Sequence, residues 1–169
     1  VEIENKIKVG LEKALDVVRP TRKAHELAIL NNVHDEVVRL WELIHPDEPI
    51  KPTRFELKPG TKGSLNQYAS FGDVENVQPQ AYFSESHLDT LGFCYWLAIT
   101  KYATNGDAIL VLDDVFTSVD NVHIKRVMEL LNTESEAFNQ IIVTTHQRRW
   151  HDAYKYGSMA RNKASVIEL

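Results

Sequence analysis

Apolar residues recur at two different spacings along the chain, and each spacing predicts a different kind of element. Residues 1–45 place them three and four positions apart, which is typical of an amphipathic helix. The stripe changes phase at Pro20, so we expect the helix to kink or restart there, with Thr21 as its candidate N-cap. The heptad-like spacing leaves two interpretations open: two helices packed on the domain, or the returning arm of a coiled coil.

A hairpin is predicted after this helical region. The proline-containing segment 45–49 ends the helical pattern. Residues 54–58 and 64–70 have the composition of strands, and the turn-forming residues 59–63 separate them. Residues 72–82 are polar and include a proline, so they predict a loop.

The second half of the chain alternates between helical and strand patterns. The predicted elements are a helix at 85–103, a turn at Asn105-Gly106, a strand at 108–112, a helix at 121–131, a strand at 140–144, a short helix from about 147 and a last strand near 164–168. Two continuous apolar strands joined by a helix indicate parallel pairing with both faces covered. The sequence therefore predicts an α/β fold with a mainly parallel sheet flanked by helices, preceded by a helical, coiled-coil-like segment.

Composition and charge narrow the function classes. With 43% hydrophobic and 25% charged residues, the 169-residue chain has the balance of a globular domain, which excludes wholesale disorder. A net charge of −5 argues against a uniformly basic surface for nucleic acid. Lys51, Arg54, Lys58 and Lys62 form one local basic stretch on the predicted hairpin. We interpret it as a solvated edge in preference to a DNA or phosphate contact.

The single cysteine and the hydropathy pattern bear on the cellular setting. Cys94 lies in an apolar segment and has no second cysteine to pair with, so we expect a reducing, cytoplasmic location. No apolar run approaches the length of a membrane span, so we expect no membrane partner.

Two adjacent carboxylates, Asp113 and Asp114, follow the apolar run that begins at Ile109. In open α/β sheets, ligands bind beyond the carboxyl ends of the strands. Carboxylate oxygens in that position can hold Mg²⁺ and orient a water molecule at a phosphate group. The alternative is structural, with the pair capping the loop that follows.

Two other segments offer hydroxyl and imidazole groups. Ser84 and Ser86 stand at the start of a predicted helix, where free N–H groups and the positive end of the dipole attract anions. The spacing from Ser86 to Asp89 also fits a capping box, which is a purely structural role. His146 follows the strand at 140–144, where an imidazole can hydrogen-bond a phosphate.

Taken together, these segments resemble the C-terminal half of ABC-type ATPase heads, most of all the SMC/RecF/RecN group of chromosome-maintenance and repair ATPases and the SMC-like ATPases of bacterial defence. The resemblance covers roughly residues 37–169. The matching motifs are the signature (Phe83-Ser84-Glu85-Ser86-His87), the Walker B strand (Ile109 to Asp114), the D-loop (Thr117-Ser118-Val119-Asp120), the switch histidine (Thr145-His146) and the re-entry of the coiled coil (Trp41 to Pro49).

The resemblance implies a role for residues on the chain's own nucleotide site. In such heads, Asp113 is expected to hold Mg²⁺, and Asp114 to act as general base or to position the attacking water. His146 is expected to contact the γ-phosphate. The implied cofactors are ATP and Mg²⁺, and the implied activity is ATP hydrolysis.

The resemblance also implies contacts across a dimer of two ATPase heads. Ser84 and Ser86 are expected to reach the partner's ATP, and Asp120 to couple the two sites. Hydrolysis is then expected to move a coiled-coil arm, with DNA as a further partner.

Three departures from the family pattern qualify these expectations. Asp114 stands where most ABC proteins have glutamate, and Glu85 and Ser86 replace the glycines of the signature. No GxxxxGK[ST] phosphate loop occurs in the chain. We therefore expect residues 46–169 to be a C-terminal lobe and residues 1–45 the end of a coiled-coil arm. The Walker A segment is then a missing N-terminal partner from the same protein, and the isolated chain is expected to be inactive.

Two other functions remain as alternatives to an active ATPase. A catalytically degenerate, ATP-gated dimerisation or scaffold module is consistent with Asp114 and the altered signature. A DNA-binding module that uses the basic hairpin has the least support.

Overall fold

The computed structural model describes residues 2–58, 64–157, 165 and 167, and the side chains of residues 2–4 and 153–157 lie outside that description. The first element is one long helix, α1 (Glu2–Ile44), which passes through Pro20. The predicted restart at Pro20 is therefore wrong. Thr21 is not an N-cap, since its hydroxyl donates to the carbonyl of Val17 at 2.9 Å, one turn earlier. Proline removes one helical N–H, and the flanking turns keep theirs.

The two ends of α1 have different surroundings. Its C-terminal part packs on the rest of the chain and buries Val33, Val37, Leu40, Trp41 and Ile44. Residues 5–25 are exposed throughout. The interpretation as two helices packed on the domain is thus wrong, because the first half of α1 has no such packing among the described residues.

An antiparallel sheet follows, with strand order β1 (Ile50–Leu57), β2 (Leu65–Phe71) and β3 (Val74–Val77). The two predicted strands of the hairpin are confirmed as β1 and β2, and the predicted turn at 59–63 lies outside the described residues. The predicted loop at 72–82 is wrong, because it contains β3 and the short helix α2 (Pro79–Tyr82). Strand β3 is only four residues long and mostly exposed, so it leaves little hydrophobic pattern in the sequence.

The second half begins with helix α3 (Glu85–Thr104), and a β–α–β unit follows it along the chain. Strand β4 (Ile109–Asp113) and strand β5 (Gln140–Thr144) pair in parallel, from Ile109 opposite Gln140 to Asp113 opposite Thr144. Helix α4 (Asn121–Glu134) and a 3₁₀ turn (Ser135–Ala137) connect them, and α5 (Arg148–Gly157) follows. The last strand predicted near 164–168 lies largely outside the described residues.

The parallel strands are covered on one face only. Leu110 and Leu112 are buried in the core, whereas Ile109 and Val111 are 58% and 57% exposed. The prediction of a doubly covered sheet is therefore wrong for the described part of the chain. The described part also has three antiparallel strands, β1, β2 and β3, and only two parallel strands, β4 and β5, so the prediction of a mainly parallel sheet does not hold there.

Four charged side chains form ion pairs that connect α1 to α3 and α4. Glu134 at the end of α4 lies 2.6 Å from Arg39 and 2.5 Å from Lys101, and Glu36 of α1 contacts the same two cations at 2.7 and 2.5 Å. Hydrogen bonding from Arg39 lowers the pKa of Glu36 to about 2 against the opposing effect of burial, with Lys101 adding to the decrease. We call Glu36, Arg39, Lys101 and Glu134 the arm clamp.

Among the described helices, none combines the length and the apolar character that a membrane crossing needs.

Candidate functional site

The two adjacent carboxylates lie where the parallel strands end. Asp113 is the last residue of β4, and its carboxylate accepts a hydrogen bond from the hydroxyl of Thr144 at the end of β5. Asp114 has a φ of 51°, a left-handed conformation that aspartate tolerates better than most residues. Its backbone N–H donates to the carbonyl of Thr144 at 2.9 Å. The carboxylate of Asp113 and the backbone of Asp114 are thus both held by the last residue of the neighbouring strand.

His146 joins this group directly. Its Nδ1 lies 2.8 Å from Oδ2 of Asp114. The two side chains are 72% and 36% exposed, so both are accessible to a ligand from solvent. We call Asp113, Asp114, Thr144 and His146 the acidic edge. The structure places three predicted site residues there: the expected metal ligand and both expected catalytic residues.

The segment that follows the acidic edge is held by aromatic packing. Phe116 stacks on Trp150 with ring centroids 4.9 Å apart. Arg149 donates to the carbonyl of Thr117 at 3.0 Å. A cavity of about 10 Å³ between Asp114 and Trp150 has the size of a single water molecule. This cavity is therefore far too small for a nucleotide.

Ser84 caps helix α3. Its Oγ accepts from the backbone N–H of His87 at 3.3 Å and lies 2.6 Å from Nδ1 of the same residue. The predicted capping box from Ser86 to Asp89 is wrong, because Ser84 is the cap and Asp89 accepts from the hydroxyl of Ser118. The Oγ of Ser86 is buried without a hydrogen-bond partner among the described residues.

Asp120 caps helix α4 in a similar way. One carboxylate oxygen accepts from the backbone N–H groups of Val122 and His123 at 3.0 and 3.1 Å. The other lies 2.8 Å from Nδ1 of His123. Burial raises the pKa of Asp120, but the hydrogen bonds from His123 outweigh it, so the pKa is lowered overall. The group is therefore a stable carboxylate at the start of α4.

Ser84 and Asp120 are connected through a group of histidines that the sequence did not single out. Glu48 lies at its centre. Its Oε1 is 3.0 Å from Nδ1 of His45 and 2.7 Å from Nε2 of His123, and its Oε2 is 2.5 Å from Nε2 of His87. We call His45, Glu48, His87 and His123 the Glu48 cluster. It joins the end of α1 to the starts of α3 and α4.

Burial sets the protonation of this cluster. Desolvation lowers the pKa of the fully buried His45 to about 4. For Glu48, burial raises the pKa, but hydrogen bonds from His45 and His87 prevail and hold it at about 2. At neutral pH the cluster thus combines a neutral His45 with an ionised Glu48. The only sequence signal for it is the i, i+3 spacing of His45 and Glu48 in the segment that resembles the coiled-coil re-entry.

The donor atoms at the acidic edge suit a hard cation. Asp113 and Asp114 supply carboxylate oxygens and Thr144 a hydroxyl oxygen, which are the ligand types that Mg²⁺ prefers. The residues present therefore fit Mg²⁺. For ATP, the acidic edge supplies only groups that can bind the metal ion and orient water, because the sequence contains no phosphate loop to hold the phosphates themselves.

The overall structure resembles solved ATPase heads. The chain aligns with a structure from work on ATP-driven dimerization and DNA stimulated activation of SMC ATPases, with a TM-score of 0.62 and 18% identity over 78% of this chain and 77% of that one. An Smc head domain from Pyrococcus furiosus, bound to the C-terminal domain of ScpA, aligns with a TM-score of 0.64 and 14% identity. The Smc head domain from Pyrococcus yayanosii, with a coiled coil and joint, aligns with a TM-score of 0.62 and 17% identity.

The chain spans only 35% and 29% of the two Pyrococcus chains, while 85% and 88% of its own length is covered. No protein-family model and no curated protein sequence matches it. The fold is thus similar to that of SMC ATPase heads, and the resemblance expected from the sequence is confirmed at the level of fold.

Proposed function

We propose that this chain is the C-terminal lobe of an SMC-like ABC ATPase head, and that the intact protein hydrolyses ATP between two dimerised heads. The observation that carries the proposal is the acidic edge, where a paired Asp114 and His146 lie at the carboxyl ends of two parallel strands, 2.8 Å apart. Ligands of open α/β sheets bind at such an edge. The SMC-like fold is the independent support.

Asp113 is proposed to hold Mg²⁺ with help from the Thr144 hydroxyl, which already contacts its carboxylate. When bound, Mg²⁺ neutralises charge on the phosphate oxygens. The hydrogen bond from Thr144 fixes the direction of the Asp113 carboxylate before any ligand arrives. That preorganisation lowers the cost of ordering the site.

Asp114 is proposed to accept a proton from, or orient, the attacking water. Its left-handed backbone conformation turns the side chain away from the regular direction of the strand, and such conformations concentrate at functional sites. His146 holds one carboxylate oxygen of Asp114, which leaves the other for water. The same imidazole is exposed enough to contact a γ-phosphate.

The uncovered face of the parallel strands supports a missing lobe. Ile109, Val111 and Ile142 are exposed side by side on β4 and β5. Contiguous apolar surface of this kind marks an interaction site. We propose that the N-terminal segment carrying the Walker A loop covers it and extends the sheet.

The outer half of α1 supports the proposed division into an arm at 1–45 and a lobe at 46–169. Ile7, Leu11 and Val18 are 57%, 61% and 57% exposed along one stripe. A second coiled-coil strand would bury them. DNA remains the proposed target of the arm, and the second head the proposed partner of Ser84, Ser86 and Asp120. The cytoplasm remains the proposed location.

The basic hairpin gives little support to direct DNA binding. Lys51 pairs with Glu42 at 3.2 Å, and Arg54 pairs with Glu56 at 3.4 Å while lying over the ring of Tyr68. Local partners therefore compete with phosphate for both cations.

A degenerate, ATP-gated module is the second candidate. The observation that favours it is the state of the signature serines, since Ser84 is already bonded to His87 and the Ser86 hydroxyl is buried. Neither hydroxyl reaches a partner's nucleotide without a change of contacts. Nucleotide-dependent dimerisation without turnover in the wild-type protein supports this candidate over the first.

Turnover of an Asp114→Asn variant of the intact protein tests the ATPase proposal. Asparagine keeps the size and tolerates the same backbone conformation, so folding and ATP binding are expected to persist. Loss of the base or water-orienting group is expected to reduce turnover by about 10² to 10⁴-fold. Asp73→Asn, in the exposed β2–β3 turn, is the matched control and keeps wild-type turnover. Wild-type turnover in Asp114→Asn rejects the assignment.

A further inference from the structure

We propose that His45, Glu48 and His87 bind a divalent transition-metal ion of the zinc class. Donor atoms from the three residues lie within 4.8 Å of one another. Two of the three contacts are direct, at 3.0 Å from His45 Nδ1 and 2.5 Å from His87 Nε2 to the two oxygens of Glu48. Residues from two separate elements thus converge on one carboxylate.

The donor set selects the class of metal. Two imidazole nitrogens with one carboxylate are a known ligand set for Zn²⁺. Mg²⁺ and Ca²⁺ bind oxygen ligands in preference to imidazole. This chemistry differs from the all-oxygen set at the acidic edge. The proposed metal therefore does not depend on the ATPase proposal, and neither site can substitute for the other.

The outer ring nitrogens are anchored in the way that metal-binding histidines require. Nε2 of His45 lies 2.9 Å from the hydroxyl of Thr90, and Nδ1 of His87 lies 2.6 Å from the hydroxyl of Ser84. Such contacts fix the orientation of each ring and leave the inner nitrogen for the ion.

His123 anchors the carboxylate ligand itself. Its Nε2 lies 2.7 Å from Glu48 Oε1, while its Nδ1 lies 2.8 Å from Asp120. A ligating carboxylate that is itself hydrogen-bonded completes the usual support of a metal site. Through this contact the ion is connected to the cap of α4.

A metal ion can reach the Glu48 cluster from solvent, and the ligand atoms must shift before they can bind it. The side chains of Glu48 and His87 are 23% and 18% exposed, which leaves a path from solvent, while His45 is fully buried. Ligand atoms about 2.0–2.1 Å from a tetrahedral ion stand roughly 3.3 Å apart. The present 2.5 and 3.0 Å contacts must therefore open by less than 1 Å, and the two imidazole nitrogens, which lie within 4.8 Å of each other, must approach by at most about 1.5 Å.

A metal in this position fastens three elements at one point. His45 and Glu48 lie just after α1, His87 is in the first turn of α3, and His123 is in the first turn of α4. The ion therefore fixes the base of the arm relative to the starts of both helices, and its removal is expected to lower the thermal stability of the chain.

Calorimetric titration of the chelator-treated 169-residue chain with Zn²⁺ tests the proposal. We expect one ion bound per chain, an increase in melting temperature, and visible d–d absorption when Co²⁺ replaces Zn²⁺. Excess Mg²⁺ is expected not to displace Co²⁺. Absence of Zn²⁺ binding in the wild-type chain overturns the proposal.

Variants locate the ion. Glu48→Gln and the partly exposed His87→Ala are expected to weaken Zn²⁺ binding at least about 100-fold, because each removes a ligand. His25→Ala, an exposed histidine on α1, is the matched control and keeps wild-type affinity. Circular dichroism of the metal-free proteins confirms that each variant is folded. Wild-type affinity in both ligand variants places the ion elsewhere and overturns the proposal.

Discussion

Glu134→Gln is predicted to weaken the arm clamp and to lower the free energy of unfolding more than a Glu→Gln substitution at an exposed position. The Glu134 side chain is only 6% exposed and contacts Arg39 and Lys101 at 2.6 and 2.5 Å. Glutamine keeps the size and one acceptor but removes the charge that compensates two cations. Glu36 then remains as their only acidic partner within the clamp.

The magnitude follows from the surroundings of each contact. A hydrogen bond to a charged group contributes about 1.5–3 kcal/mol when buried. Arg39 is 43% exposed, so solvent screens its contact, whereas Lys101 at 24% is better shielded. We therefore expect a loss of about 2–3 kcal/mol in the free energy of unfolding. For a chain of this size that corresponds to roughly 4–12 °C in melting temperature.

Urea denaturation followed by circular dichroism measures this loss. Glu129→Gln is the matched control on the same helix, because Glu129 is 62% exposed and its partner Lys125 lies 4.0 Å away. The control is expected to change the unfolding free energy by less than about 0.5 kcal/mol. Equal effects of the two substitutions refute the clamp as an energetic feature.

Two further predictions concern acid stability and helix capping. Glu36 has a folded pKa near 2 against an ordinary value of 4.5, so its stabilising effect is complete above pH 4.5 and is lost as the pH falls towards 2. Urea denaturation at pH 7 and pH 3 measures the loss of unfolding free energy caused by Glu36→Gln. After allowance for solvent screening, this loss is expected to be about 1–2 kcal/mol smaller at pH 3 than at pH 7. A loss that does not change with pH contradicts this prediction. Asp120→Ala is expected to cost about 1 kcal/mol because α4 loses its cap, while Asp120→Asn retains most of the stability. Equal unfolding free energies for alanine and wild type exclude a capping role.

The parallel unit was predictable because its signals are local. The apolar run from Ile109 ends abruptly in Asp113, and the run at 140–144 repeats the pattern after one helix. Periodicity and strand ends therefore sufficed to bring Asp113, Asp114 and His146 to one edge. The cap of α3 was also predictable, since Ser84 directly precedes the helical pattern.

The remaining features depend on contacts between distant residues. Glu48 meets His87 and His123 only after three elements have packed, and no spacing in the sequence connects them. The pairing of Asp89 with Ser118 is equally non-local, which is why a local capping box was the wrong prediction. The continuous helix at Pro20 shows the reverse case, where a strong local signal was outweighed by the rest of the helix.

Calorimetric titration with Mg-ATP, of this chain and of the intact protein side by side, tests the central claim most directly. If the chain is one lobe of a shared site, it is expected to remain folded yet bind no Mg-ATP, since it lacks a phosphate loop. The intact protein, which on the proposed function supplies that loop, is expected to bind. Micromolar binding by the isolated chain contradicts the half-site account, because it requires a complete phosphate cradle within these 169 residues.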